Sequence, residues 1–341
     1  MQCDSGKNLN ENRAVSPESA GYAPVVLFCY NRVENLIRTV AALRKNELAE
    51  ETDLIIYSDG PKNAVDAEKV AAVREYIHLI RGFRSVEIHE SECNKGLANS
   101  VIAGVTHVVN RYGKVIVLED DLLTHPGFLR FMNEALVFYE KEERVAGIQG
   151  WRPLNDFDFP VPDTFFTNEV GCWGWATWKR AWSFFEPDGE KLLKQFTSAG
   201  QIEKFNVFNS YPFYELLRKQ VAGEVDSWAI RWYASVFLNG KLGLQPGKNM
   251  IKNIGYSTGT HGAEGHHIPE DLLAERRPAV EKIDLKPAWD ILKAVYVPGY
   301  EKYGLRCESN SDRIVRVLKK IIRFVLPYGF VLFIQDIRRE Q

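Results

Sequence analysis

The sequence of 341 residues is poor in cysteine and contains no long apolar run. Its five cysteines are scattered, odd in number and without CxxC spacing, which gives no metal-site signature and favours a reducing compartment. Because no apolar run reaches about 18 residues, we predict no membrane-spanning helix. Residues 1–22 are polar and lack the apolar core of a signal peptide, so we expect a disordered leader. Together these absences predict a cytoplasmic protein.

An excess of one charge and the common phosphate-binding loops are also missing. The net charge is −2, so nothing in the composition points to a nucleic-acid partner. No GxGxxG follows the first predicted strand and no GxxxxGK[ST] occurs, which disfavours a dinucleotide fold or a P-loop. The chain does have 8 Trp and 14 Tyr, residues that are useful for stacking on sugars and bases.

Apolar strands alternate with amphipathic helices through the first 150 residues. Strands are predicted at 24–30, 54–57, 86–89 and 115–118, and helices at 33–43, 65–80, 97–108 and 126–141. Asn31 with Glu34 is typical of a capping box, and Pro126 suits a first helical turn. This alternation predicts an α/β fold with a mostly parallel central sheet, right-handed crossovers and flanking helices.

The pattern changes after residue 145. Short strands are predicted at 145–148, 164–167 and 242–244, helices at 211–221 and 228–238, and a mobile loop at 246–267. We therefore divide the chain into an α/β half (23–150), a second half (151–268) and a C-terminal extension (269–341).

An acidic cluster follows the strand at 115–118. Glu119, Asp120 and Asp121 would lie at the carboxyl edge of the sheet, where open α/β sheets bind ligands. Adjacent carboxylates repel and are costly to bury unless a cation or hydrogen-bond donors compensate them. The cluster therefore favours a divalent metal that holds the phosphates of a ligand. A solvated acidic turn is the alternative.

Four tryptophans lie within the segment from Gly171 to Trp182. Trp173 and Trp175 are candidates for a wall against a flat ligand, because neighbouring glycines allow the backbone to approach closely. The alternative is a tryptophan-rich core seam between the two halves of the chain.

With these motifs, the chain resembles the GT-A glycosyltransferases, and in particular the N-acetylglucosaminyltransferase I type. Four motifs carry the resemblance in chain order over residues 24–265: Glu119-Asp-Asp-Leu with the helix that begins at Pro126, Gly171-Cys-Trp-Gly-Trp with Ala181-Trp182, Asp226-Ser-Trp, and Thr260-His-Gly. One position departs, since Ser227 stands where the family has a second acidic residue before the Trp. The donor sugar is therefore not carried over.

The resemblance implies a Rossmann-like GT-A fold and an inverting, metal-dependent transfer from a nucleotide diphosphate sugar, with UDP as the expected nucleotide. Asp121 would bind Mn²⁺ or Mg²⁺ directly, while Glu119 and Asp120 would hold the ribose or water around the ion. Trp173 and Trp175 would contact the nucleotide sugar.

Residues after the first two strands are candidates for nucleotide contacts. Tyr30 and Asn31 would reach the base or ribose, and Arg32 a phosphate. In this family the carboxylate that closes the second strand, here Asp59, accepts from uracil N3–H. The alternatives are an exposed helix-start residue for Arg32 and a turn ahead of Gly-Pro for Asp59.

The remaining site candidates stand at helix starts and in a loop. Asn94 and Lys95 would face the ligand, or Asn94 would simply cap a helix. Asp226 would be the general base that takes the proton of the acceptor hydroxyl, with Glu224 as the fallback and an N-cap role as the alternative. His261 would contact the diphosphate or the metal, or belong to a solvated loop.

Residues 313–326 combine an apolar face with a basic face. Such a helix suits an anionic membrane surface, which fits a lipid-linked glycan acceptor and a location at the inner face of the membrane. Packing on its own domain or on a second subunit is the alternative. For the whole chain, the competing functions are a nucleotidyltransferase on a related fold and a non-catalytic glycan-binding protein on a degenerate transferase fold.

Overall fold

The structure is a computed structural model that describes residues 21–152, 159–255 and 274–302. The strands in chain order are β1 (Val25–Cys29), β2 (Asp53–Ser58), β3 (Ser85–Glu90), β4 (Lys114–Glu119), β5 (Leu122–Thr124), β6 (Val145–Gln149), β7 (Thr164–Thr167), β8 (Trp175–Trp178), β9 (Leu242–Pro246) and β10 (Ile251–Asn253).

Helices cover the sheet. They are α1 (Val33–Leu43), α2 (Ala64–Leu79), α3 (Leu97–Tyr112), α4 (Phe128–Phe138), α5 (Lys179–Trp182), α6 (Gly189–Lys194), α7 (Ala199–Phe205), α8 (Phe213–Val221), α9 (Trp228–Leu238), α10 (Trp289–Ile291) and α11 (Val297–Lys302), with a π-helical turn between the last two. Their apolar faces are buried at helical spacing, as at Leu36, Val40 and Leu43 of α1.

Eight strands form the central sheet of the described residues, in the order β3-β2-β1-β4-β8-β6-β9-β7. The first four are parallel, β8 is antiparallel to both of its neighbours, β6 and β9 are parallel, and β7 is antiparallel at the edge. The predicted mostly parallel α/β sheet is thus confirmed. The same sheet runs through both predicted halves, and the division near residue 150 stays a prediction.

Two strand pairings are absent from the sequence-based prediction. β5 pairs with β10 in a separate antiparallel ribbon, and β8 occupies the middle of the sheet. β5, β8 and β10 are short, and their partner strands lie far away in sequence. Their local patterns therefore carry little signal, because such strands form only when the partner strand is in place.

Three local predictions of helix starts are wrong. Asn31 does not cap α1, since the N-cap position is Arg32 and no side chain caps the helix. Gly96, not Asn94, precedes α3, because a positive φ of 79° at the junction suits glycine. Pro126 lies just before α4, whose N-cap is Gly127.

Trp175 belongs to the core, so its predicted contact with a nucleotide sugar is wrong. Its side chain is fully buried, and its ring lies 5.8, 5.4 and 6.0 Å from those of Trp182, Trp228 and Trp232. The cause is its position in β8, a central strand covered on both faces. The core-seam alternative therefore holds for Trp175.

Several predictions lie outside the described residues: the leader apart from residues 21 and 22, His261 with residues 256–267 of its predicted loop, and the basic amphipathic segment 313–326. The loop prediction is wrong at residues 251–253, which form β10. Within the described residues, no helix has the length and apolarity that a membrane crossing requires.

Among the described cysteines, Cys29 and Cys172 are free, whereas Cys93 is disulfide-bonded. The cysteines therefore do not support the reducing compartment that their spacing favoured, and the cytoplasmic location stays a prediction.

An apolar cluster joins Phe165 of β7 to Leu292 and Tyr300 of the last helical segment, and a carboxyl group is buried beside it. Glu169 is buried, and the Tyr300 hydroxyl donates to its Oε1 over 3.3 Å. Its Oε2 has no hydrogen-bond partner in the described part of the chain. Burial raises the pKa of Glu169 to about 7, partly offset by the bond from Tyr300.

Truncation of Trp175 tests whether the tryptophan cluster supports the fold. We expect Trp175→Ala to lower the free energy of unfolding by about 3–5 kcal/mol, because it opens a cavity between β8 and α9. Trp173→Ala removes a half-buried ring of the same segment and should cost about 1–2 kcal/mol. Urea unfolding followed by circular dichroism measures both, and equal losses would contradict the core role of Trp175.

The buried carboxyl predicts a pH-dependent stability. Because its pKa is raised from about 4.5 to about 7, Glu169 stabilises the folded chain most below pH 4.5, and this contribution is lost as pH rises to about 7. Relative to Glu169→Gln, the wild type should therefore lose up to about 3 kcal/mol across that window. Urea unfolding of both proteins at pH 4.5, 6 and 7.5 measures the difference. Parallel curves for the two proteins would refute the prediction.

Candidate functional site

The candidate site lies at the carboxyl edge of the parallel strands. β1 and β4 are adjacent and parallel, with Phe28 opposite Glu119, so the residues after both strands emerge side by side. The Tyr30 backbone N–H donates to Asp120 Oδ2 over 3.3 Å. This register brings the segment 30–32 against the acidic cluster, as the predicted sheet requires.

Arg32 joins two carboxylates of the acidic cluster. Its guanidinium forms ion pairs with Asp120 and, between Nη1 and Oδ2 over 2.9 Å, with Asp121. Both aspartates are buried, and the Thr39 hydroxyl fixes the strand end by donating to the Asp120 carbonyl over 2.9 Å. The proposed surface role of Arg32 and the solvated acidic turn are therefore both wrong.

The cluster has more negative charge than Arg32 balances. Burial raises the pKa of Glu119 to about 8, and the neighbouring Asp121 and Asp120 carboxylates add to that rise. Burial likewise raises the pKa of Asp120 to about 6, against the opposing effect of Arg32. The site consequently favours a further positive charge.

Two chain segments close over the cluster. Ile254 follows β10 and donates its backbone N–H to the Asp121 carbonyl over 2.9 Å. A Cβ at Gly255 would lie 1.9 Å from Asp121 Oδ2 and 2.8 Å from Arg32 Nη1, so a larger residue there would force these side chains to move. On the other side, burial and the Glu119 and Asp121 charges raise the pKa of the Cys172 thiol.

The antiparallel direction of β8 explains why Cys172 is so close. Because β8 runs against β4, the residues before it begin at the same edge where β4 ends. Trp173 is half-buried there, and its ring lies 4.4 Å from that of Trp151, which follows β6. The sequence reasoning missed Trp151, since only the parallel alignment of β6 with β4 brings it to this edge.

Asp59 organises the loop that follows β2. Its carboxylate accepts backbone N–H groups from Gly60 over 2.9 Å, Lys95 over 2.8 Å and Gly96 over 2.9 Å. The Asn94 amide donates to the Gly60 carbonyl over 2.8 Å. Asp59 and Asn94 thus hold the ends of β2 and β3 together, and the Lys95 side chain is exposed.

Tyr30 and Asn31 share a partner that the sequence reasoning missed. The Tyr30 hydroxyl donates to Asp66 Oδ2 over 3.0 Å, and the Asn31 amide donates to Oδ1 over 2.9 Å. The Asn31 hydrogen bond, followed by that from Tyr30, lowers the pKa of Asp66. An acidic residue three positions after the cap Asn63 was the available signal, but its partners lie more than 30 residues away.

Asp226 lies across the edge from the acidic cluster, beside the start of α3. A Cβ built on Gly96 would lie 3.6 Å from Asp226 Oδ2. Ser227 caps α9 by accepting the Ile230 N–H over 3.3 Å, so the N-cap alternative for Asp226 is wrong. The Asp226 side chain is 64% exposed and pairs with Arg231 over 3.8 Å. Glu224 is exposed in the turn after α8.

The described residues contain no group of three or more His, Cys, Asp or Glu side chains arranged to hold a metal ion. A cation at Asp121 would therefore need further ligands besides the side chains that the structure describes. Carboxylate oxygens are the hard ligands that Mg²⁺ and Mn²⁺ prefer, and the excess negative charge fits such an ion.

Comparison with known proteins gives one family and a set of distantly similar solved structures. The family described as "Glycosyl transferase family 2" matches residues 25–223. Among curated proteins no match to the chain is found.

Three solved structures show a distant likeness. S. aureus TarS is 14% identical with a TM-score of 0.31, and the match covers 44% of this chain and 25% of that one. S. aureus TarS 1-349 is 12% identical with a TM-score of 0.29, covering 42% and 39%. The mannosyltransferase PcManGT from Pyrobaculum calidifontis, in complex with GDP-Man and Mn²⁺, is 12% identical with a TM-score of 0.37, covering 65% and 71%. This chain thus matches well under half of either TarS chain.

A methyl group at Gly255 tests how tightly the cluster is closed. We expect Gly255→Ala to lower the free energy of unfolding by about 1–3 kcal/mol, because the new Cβ forces the Asp121–Arg32 pair apart. Gly200→Ala is the matched control, since Gly200 lies in α7 with open space around it, and this change should be neutral or stabilising. Urea unfolding compares them, and the same sign of change in both would contradict the prediction.

Proposed function

Because this chain belongs to glycosyl transferase family 2, we propose that it moves a sugar, with inversion, from a UDP-linked donor to a glycan or lipid-linked glycan acceptor. The acidic cluster that Arg32 holds at the carboxyl edge of β1 and β4 is the observation that carries the proposal. Ligands of such sheets bind at this carboxyl edge. Here Arg32 would offer a positive charge to a diphosphate, and a carboxylate would bind a metal ion that contacts its oxygens.

The nucleotide would lie along the ends of β1, β2 and β3. Tyr30 and Asn31 would contact the base or ribose, and the remaining acceptor capacity of Asp59 would take uracil N3–H. Arg32 would turn one guanidinium edge to a phosphate. Glu119 and Asp120 would contact the ribose or ordered water, while Asn94, Lys95, Trp173 and His261 complete the proposed contacts.

A divalent ion, Mn²⁺ or Mg²⁺, belongs to this proposal, with Asp121 as its protein ligand. When bound, it supplies positive charge for the departing nucleotide diphosphate. The residues around Asp121 fit it for the reason given above, since their carboxylates outnumber the positive charge of Arg32.

Asp226 would be the general base. An inverting transfer requires a carboxylate on the face opposite the leaving group, to take the proton of the acceptor hydroxyl. Two features support the proposal. Asp226 does not cap α9, and its carboxylate lies close to Gly96 in the loop that Asp59 organises. Glu224 is the fallback residue.

The likeness to the N-acetylglucosaminyltransferase I type and the transfer of a hexose or N-acetylhexosamine are further parts of this proposal. So is contact of the segment 313–326 with the inner face of the membrane, where a lipid-linked acceptor would be found.

A donor panel tests the proposed function. We expect UDP release from at least one UDP-sugar, dependent on added Mn²⁺ or Mg²⁺ and lost on chelation. Asp121→Ala should reduce the rate about 100-fold or more, and Asp226→Asn by about 10²–10⁴-fold. Asp284→Asn, which changes an aspartate with an 80% exposed side chain, is the control and should leave the rate unchanged.

Binding of UDP, measured calorimetrically with and without Mn²⁺, separates the alternatives. A protein that neither releases UDP nor binds it in a metal-dependent way would overturn the proposal. Metal-dependent binding of a glycan or nucleotide without turnover would favour the non-catalytic alternative, and pyrophosphate release from a nucleoside triphosphate would favour a nucleotidyltransferase.

A further inference from the structure

Arg231 is a buried cation whose charge has one carboxylate partner among the described residues. Its side chain is 10% exposed, whereas that of its partner Asp226 is 64% exposed. The Nε–H donates to the Ser227 carbonyl and Nη1 donates to the Pro187 carbonyl, both over 3.1 Å. Two backbone carbonyls therefore fix the guanidinium, and its third edge faces Asp226 Oδ1 over 3.8 Å.

The surroundings of Arg231 make this placement rigid. Ser235 donates its hydroxyl to the Arg231 carbonyl over 2.7 Å and accepts the Glu186 N–H over 3.0 Å. The loop at 186–187 is thereby tied to α9 at two points. Burial of the guanidinium is costly, and it lowers the pKa of Arg231 despite the nearby Asp226. Arginine suits such a position because its planar guanidinium can donate to several acceptors in a fixed geometry.

Apart from its ion pair with Arg231, the Asp226 side chain makes no hydrogen bond with the described part of the chain. It precedes the Ser227 cap, so no helical hydrogen bond fixes its side chain. Yet its Oδ2 points to within 3.6 Å of the Cβ position of Gly96, at the loop where Asp59 holds the Lys95 and Gly96 N–H groups. One carboxylate oxygen thus faces Arg231 and the other faces the candidate site.

We propose that Arg231 is a positioning residue, which anchors one oxygen of Asp226 so that the other is presented to the acceptor hydroxyl. The inference rests on the proposed role of Asp226 as the general base. Arg231 does not touch the substrate. It restricts the rotation of an exposed carboxylate, which accepts the proton of the acceptor hydroxyl in the proposed reaction.

The fork of arginine is needed for this role. The guanidinium donates to the Ser227 and Pro187 carbonyls and holds its charge 3.8 Å from Asp226, whereas a lysine ammonium is a compact charge that cannot span the three positions. Lysine would keep the charge beside Asp226 and lose the orientation. The two contributions can therefore be separated by substitution.

The test compares Arg231→Met, Arg231→Lys and the control Arg218→Met. It measures UDP release from a UDP-sugar in the presence of an acceptor glycan to which the wild type transfers the sugar. Arg218 pairs with Glu215 on α8 over 3.1 Å with its side chain 58% exposed, so its loss removes a surface ion pair only. We expect Arg231→Met to lower kcat about 10–100-fold with the donor KM within about 2-fold. Arg231→Lys should recover part of kcat, and Arg218→Met should match the wild type.

A double-mutant cycle gives a readout that a purely structural role would not move. Arg231→Met should add less than about 2-fold to the loss caused by Asp226→Asn, because both changes remove one unit.

The outcomes separate this inference from the proposed function. A wild type that transfers no sugar overturns the proposed function and the positioning role with it. An active wild type whose Arg231→Met variant keeps kcat, or whose double variant loses the full product of both effects, overturns the positioning role alone. Should Arg231→Met fail to fold by circular dichroism, Arg231→Lys with Asp226→Asn carries the same cycle, and full additivity there overturns the inference.

Discussion

The ion pairs of Arg32 with Asp120 and Asp121 are the constraint on which the candidate site depends. They join the segment after β1, which carries Arg32, to the end of β4, where Asp120 and Asp121 are consecutive in the chain. Such carboxylates are stable in a buried place only with a compensating cation. Gly255 approaches the same pair closely, and a Cβ at this position would force Asp121 or Arg32 to move.

The tryptophan core has the corresponding role for the opposite side of the site. Trp175 at the start of β8 stacks on Trp228 at 5.4 Å, and Trp228 is the first residue of α9. This contact fixes the beginning of α9, and therefore Ser227 and Asp226, relative to β4. Through this contact β8, which is antiparallel to both of its neighbours, sets the position of the proposed base relative to the acidic cluster.

Local patterns predicted the first four strands and their helices well, because their apolar runs and amphipathic spacing are determined by residues close in sequence. The acidic cluster was found for the same reason, since a buried strand that ends in carboxylates has one natural place in a parallel sheet. Trp175 was misjudged, and Trp151 and Asp66 were missed. Their roles depend on strand directions and on partners that lie in other elements of the fold.

The sequence by itself determined the alternating α/β fold, the edge of the sheet that carries the site, and the carboxylates available there. Only the tertiary structure decided which of these groups meet: Arg32 with Asp121, Asp59 with the N–H groups before α3, and Asp226 with Arg231. The physical reason is the range of the interactions. Periodicity reports burial along one element, whereas an ion pair or a hydrogen bond between loops exists only after the sheet has brought distant strand ends together.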